Sequence, residues 1–106
     1  MSNGGYDMTD LLTLITVERA EGLSLHAGQR PVVHLGGEPH PIEGPLITSE
    51  NAETLLRSLA TTRQLRDFRE HGTAEFIYTF QDSTQFRVQA RMQHEQVQLE
   101  LQRLAA

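Results

Sequence analysis

The sequence predicts an α+β fold, an open and mainly antiparallel sheet of about six strands with helices packed on one face. Three observations carry that expectation. The apolar period is 3.6 residues near the start and again between residues 48 and 71, and it is 2 residues from 74 to 102. The strand-like runs are joined by short polar or glycine-containing turns, which suit hairpins rather than helical crossovers. At 106 residues and 11.9 kDa, one small core is the most the chain can bury, and no linker or internal repeat interrupts it.

Met1 to Tyr6 form a flexible N-terminal tail in this reading, and residues 7–106 form a single domain. Asp7 is placed to cap a helix in which Met8, Leu11, Leu12 and Ile15 share a face, with Gly22 as its expected left-handed stop. Leu23-Ser24-Leu25-His26-Ala27 alternates as a strand. Val32 to Leu35 gives a second, and Gly36-Gly37 turns it into a third at Glu38 to Ile42. Pro39 and Pro41 confine that third strand to an edge, because neither can donate to a ladder.

Thr48 or Ser49 caps the next helix, with Ile47 as the preceding apolar contact and Ala52, Leu55, Leu56 and Leu59 as its stripe. Thr61-Thr62-Arg63-Gln64 is a capping-box pattern for a third helix that ends at Gly72. Three alternating strands close the chain, with Ala74, Phe76, Tyr78 and Phe80 on the first, Phe86, Val88 and Ala90 on the second, and Val97, Leu99 and Leu101 on the third. Their turns are expected at Gln81-Asp82-Ser83-Thr84 and between Gln93 and Gln96. Alternation of this kind buries one sheet face and leaves the other wet or free for a partner.

Composition excludes several functions. With no cysteine there is no disulfide, thiolate zinc site, iron–sulfur cluster or thiol nucleophile. All nine basic residues are arginines, so lysine Schiff-base chemistry and a P-loop lysine are absent, and GxxxxGK[ST] does not occur. A net charge of −5 argues against a nucleic-acid binder. No apolar run approaches the ~20 residues of a membrane helix, and the polar start shows no signal pattern. The expectation is a soluble, cytoplasmic protein without direct membrane insertion.

The histidines, His26, His34, His40, His71 and His94, form no HxH or HExxH pattern, so no metal site is expected and the residues read as solvated or hydrogen-bonded. Ser24, Ser49, Ser58 and Ser83 lie in no GxSxG elbow or SxxK pair. Glu50 and Glu53 suit a helix N-terminus. No catalytic residue and no cofactor are assigned. What stands out is the polar face of the last strands, where Arg87, Gln89 and Arg91 neighbour Gln98, Glu100 and Gln102. Guanidinium and amide groups side by side suit carboxylate or phosphate acceptors, so Arg87, Gln89, Arg91, Gln98 and Glu100 are the candidate partner or phosphate contacts.

The stretch Leu23-Ser24-Leu25-His26-Ala27-Gly28-Gln29-Arg30-Pro31-Val32-Val33, the glycine hairpin with Ile42, then Phe86-Arg87-Val88-Gln89-Ala90 and Leu99-Glu100-Leu101-Gln102-Arg103-Leu104 together resemble the N-terminal domain of the PilT-type retraction ATPases of type IV pili. The resemblance covers about residues 6 to 104. It implies a PAS-like fold, a link to pilus retraction (twitching motility) or type II secretion, and a protein partner such as a pilus or secretion ATPase. Because that family works as a hexamer, it also implies a homo-oligomer. In the family an ATPase domain follows this one, and the N-terminal domain lends arginines to the nucleotide site and subunit interface, which implies such a role for Arg87.

The sequence departs from the family pattern at Gly22, where an aspartate is usual, at Ser24 for a histidine, at His34 for an arginine and at Gln89 for an asparagine. Two functions follow as expectations. One is a non-catalytic interaction or regulatory domain; the alternative is a PAS-like sensor of a small ligand, which requires an enclosed cavity of ~300 Å³ or more.

Overall fold

The computed structural model describes residues 5–81 and 84–104. The chain runs through α1 (Met8–Glu18), β1 (Gly22–His26), β2 (Val32–Leu35), β3 (Glu38–Pro41), α2 (Ser49–Leu59), α3 (Thr62–His71), β4 (Thr73–Phe80), β5 (Thr84–Gln93) and β6 (Gln96–Arg103). One antiparallel six-stranded sheet has the order β3-β2-β1-β6-β5-β4. Two sequential meanders, β1–β3 and β4–β6, are thus joined in the middle by β1 against β6. β3 and β4 form the two edges, and β3 is the proline-bearing strand expected there.

All three helices pack on the same face. Leu11, Leu12 and Ile15 of α1 and Leu55, Leu56 and Leu59 of α2 meet Leu23, Leu25, Phe86, Val88, Leu99 and Leu101 of the sheet in one cluster of buried side chains. Phe86, Leu25, Leu99 and Ile15 have no exposed surface at all. Burial alternates along β5 and β6, so each odd-numbered residue of β5 and each even-numbered one of β6 lies on the opposite, helix-free face.

Local chemistry accounts for the helix ends. The Asp7 carboxylate accepts from the Asp10 N–H, the Thr48 hydroxyl from the Asn51 N–H, and Thr61 and Gln64 complete a reciprocal capping box. Gly72, with φ 76°, stops α3 as expected. At α1 the expectation fails. That helix ends at Glu18, and Arg19 takes the left-handed conformation (φ 58°), donating its N–H to Ile15 and Thr16 carbonyls. Gly22 lies inside β1 instead, where an added Cβ would sit 2.7 Å from the Leu101 carbonyl oxygen, so it is needed for the close approach of β6 and not for a left-handed turn.

The expected tail also meets structure at its end. Tyr6 exchanges hydrogen bonds with the Asn51 side chain, and its hydroxyl donates to the Pro45 carbonyl at 2.7 Å. The rest of that tail up to residue 4 lies outside the described residues, as do Asp82 and Ser83 of the β4–β5 turn. Among the described residues no helix is long and apolar enough to cross a membrane.

The β5–β6 hairpin turns on His94 and Glu95, both with positive φ (53° and 63°). This is the φ signature of a type I′ turn, which favours Asn-Gly. Replacing Glu95 by Gly removes left-handed strain and should raise stability by about 0.5–1 kcal/mol, seen as a melting temperature higher by several degrees. In the core, Phe86→Ala should cost about 3–5 kcal/mol. Gly22→Ala should cost about 1–3 kcal/mol, since two central backbones would have to separate. Unshifted melting curves for these two variants would contradict the packing described.

Candidate polar face of the sheet

Antiparallel register places the polar residues of the helix-free face in rows. Arg91 stands opposite Gln98, Gln89 opposite Glu100 and Arg87 opposite Gln102 on β5 and β6. The rows continue outward to Thr73, Glu75 and Ile77 on β4, and inward from Gln98 to His26 and from Glu100 to Ser24 on β1. Four of the five candidate residues, Gln89, Arg91, Gln98 and Glu100, line a shallow depression of about 260 Å³ together with Thr73 and Glu75. The fifth, Arg87, stands apart from it. Its guanidinium lies 3.7 Å from the Glu75 carboxylate, a half-exposed contact worth at most a few tenths of a kcal/mol.

Glu100 is the most constrained group of the face. Ser24 Oγ donates to Glu100 Oε1 at 2.6 Å, and His26 Nε2 lies 2.6 Å from Oε2. His34 Nε2 in turn is 2.8 Å from Ser24 Oγ. The serine hydroxyl has a single proton and spends it on the carboxylate, so His34 must be the donor in that contact. The result is a directed chain, His34 to Ser24 to Glu100, closed on the other oxygen by His26. A serine that gives its proton to a carboxylate, with a histidine donating to its oxygen, is arranged opposite to an activated nucleophile, which needs the histidine to accept. This network positions a carboxylate.

Periodicity placed Ser24 and His26 on the polar side of their strand but did not bring them to Glu100, because their partners lie 76 and 74 residues away in the chain. With the Glu100 oxygens engaged by β1 and Glu75 beside Arg87, Arg91 is the cation left unpaired on this face among the described residues. It has the Gln89 and Gln98 amides for neighbours. This arrangement suits a carboxylate or other planar acceptor brought by a partner. Among the described residues no group of three or more histidine and carboxylate side chains is arranged to hold a metal ion.

No family model matches the sequence. Over 84 residues, 79% of this chain, it is 27% identical to the type IV pilus retractation ATPase PilT of Pseudomonas aeruginosa, of which the match spans 24%. Among solved structures, the pilus retraction motor PilT with bound ADP superposes with a TM-score of 0.87 at 19% identity, over 95% of this chain and 30% of that one. The ATPase DotB of Legionella pneumophila gives 0.80 at 12% identity, covering all of this chain and 31% of its own. The Yersinia pseudotuberculosis DotB gives 0.77 at 8%, over 99% of this chain and 32% of that one. The chain therefore spans about a quarter to a third of the length of these ATPases, and what it shares with PilT and DotB is the fold of their N-terminal domain.

Proposed function

We propose that residues 7–106 act as a non-catalytic docking module of a pilus or secretion apparatus, working in the cytoplasm and binding an ATPase of that apparatus through the helix-free face of the sheet. The observation that carries this reading is the free Arg91 guanidinium, set between Gln89 and Gln98 on a rigid sheet and facing solvent, with the neighbouring carboxylate of Glu100 already bound by Ser24 and His26. Arg91 contributes the charge, the two glutamines contribute amide donors and acceptors, and Glu100 holds the register between β1 and β6. Arg87 sits at the margin of the contact, its charge shared with Glu75.

The likeness to PilT and DotB supports the choice of apparatus. The lack of lysine and of any GxxxxGK[ST] loop supports a role without nucleotide hydrolysis. A ligand sensor is less well supported. The depression on the sheet face, about 260 Å³, is below the ~300 Å³ of a small-molecule site, and the larger groove of about 600 Å³ between Tyr6, Pro45, Leu46 and Asn51 is open to solvent and not an enclosed cavity. On the other face of the sheet, Leu12, Ile15, Leu25, Phe86 and Leu99 fill the space beneath the helices.

Two measurements test this reading. Titration calorimetry of the purified chain against a PilT-type ATPase of the same cell should give saturable binding that Arg91→Glu weakens by about tenfold or more, equivalent to roughly 1.4 kcal/mol. Val17→Ser, an exposed site on α1 across the molecule, should leave it unchanged. Equal affinity for wild type and Arg91→Glu would remove the face from the contact. Titration with MgATP alone should show no binding tighter than about millimolar, near 4 kcal/mol. A micromolar isotherm or phosphate release would mean that the chain handles nucleotide itself.

A further inference from the structure

The two edges of the sheet are chemically unequal. Ile42 donates its N–H to the Pro31 carbonyl at 2.8 Å, and the β2–β3 register continues as Val33 opposite His40 and Leu35 opposite Glu38. Antiparallel hydrogen bonding alternates residue by residue, so Glu38 and His40 bond inward while Pro39 and Pro41 stand at the outward positions. Neither has an N–H, and this edge offers no donor to an added strand. At the other edge, Met92 donates to the Gly72 carbonyl at 2.8 Å. The register of Thr73 opposite Arg91 then makes Ala74, Phe76, Tyr78 and Phe80 bond to β5. Thr73, Glu75, Ile77 and Thr79 therefore point their N–H and C=O groups away from the sheet. Over eight residues, β4 carries one charge and no proline, and Ile77 is 48% exposed on the polar face. Such an edge is a template for another strand.

We propose that the occupant is β4 of a second copy of this chain, paired antiparallel about a two-fold axis, a contact that goes beyond the docking face above and does not depend on it. The register follows from the residues. All four outward positions pair when Thr73 lies opposite Thr79 of the second copy and Glu75 opposite its Ile77. Sliding by one step in either direction loses a pair, and one of those slips sets the two Glu75 carboxylates face to face, a destabilising arrangement. In the full register the two Ile77 side chains become diagonal neighbours on the polar face. Arg87, which lies beside Ile77 and already 3.7 Å from its own Glu75, then has the second copy's Glu75 along its row, so two positive and two negative groups alternate around the isoleucine pair. On the helix side Phe76 meets Phe76 of the second copy, and Tyr78 meets Ala74. The proline edge stops growth at two copies, since an isologous β4 contact consumes the one edge that can pair.

Sedimentation equilibrium of the 106-residue chain is the test. The wild type should approach twice the 11.9 kDa chain mass. Ile77→Pro removes an outward N–H that no strand of the monomer uses, so it should sediment at the single-chain mass while keeping a cooperative melt. Glu75→Arg should weaken self-association on the order of tenfold, and adding Arg87→Glu in the same chain should restore it, as expected of directly coupled charges. Should Ile77→Pro fail to fold, the charge pair decides by itself. A wild type that remains monomeric to about 1 mM, a folded Ile77→Pro that dimerises as tightly as the wild type, or a double variant that shows no rescue would overturn the proposal.

Discussion

The pairing of β1 with β6 is the constraint on which the rest of the molecule depends. Each meander alone is a three-stranded ribbon with one apolar face, and neither has enough neighbours to bury that face. Five residue pairs from Gly22 with Gln102 to His26 with Gln98 join them into one sheet. The joined sheet is wide enough for α1 and α2 to cover, and Leu23, Leu25, Leu99 and Leu101 reach nearly complete burial at the seam. The same pairing makes the polar network on the other side, because Ser24 and His26 meet Glu100 only there. Core and candidate site are thus two faces of a single strand contact, and Gly22, where any side chain would meet the Leu101 carbonyl, serves both.

How much of this was legible in the sequence depends on the range of the interaction concerned. Local rules identified the capping box at Thr61 and Gln64, the stop at Gly72, the proline edge strand and the alternation of β4 to β6, because each is decided by residues close in the chain. The end of α1 was misplaced because Gly22 was the obvious residue for a left-handed stop. The chain turned earlier, on Arg19, which frees Ala20 to be fully buried and lets Glu21 donate to the His34 carbonyl. Tertiary packing outweighed the steric cost of a non-glycine residue in that conformation. The rows of Arg87, Gln89 and Arg91 against Gln98, Glu100 and Gln102 came from hairpin logic alone. The histidine and serine half of the site did not, since nothing local says which strands will be neighbours across more than seventy residues.

Arg87 and Arg91 look equivalent in the sequence, two residues of one strand facing one way. Register separates them. Arg87 falls beside Ile77 and within 3.7 Å of Glu75, whereas Arg91, four residues on along the same strand, falls between Thr73 of β4 and Gln98 of β6. The backbone under Arg91 is held by two neighbouring strands, so a partner that binds there orders a side chain and not a loop, and the planar guanidinium offers it a fork of donors.

Helices on one face only have a further effect on how such a domain can diverge. Along β5 and β6 the residues that hold the fold alternate with residues that touch solvent. Every second position can therefore change its chemistry without opening a cavity, while the intervening ones hold the shape of the sheet. The same sheet is then compatible with many different sets of residues at those exposed positions. A scaffold of this kind can acquire a new binding partner through a handful of exposed substitutions, with its stability set separately by the residues between them.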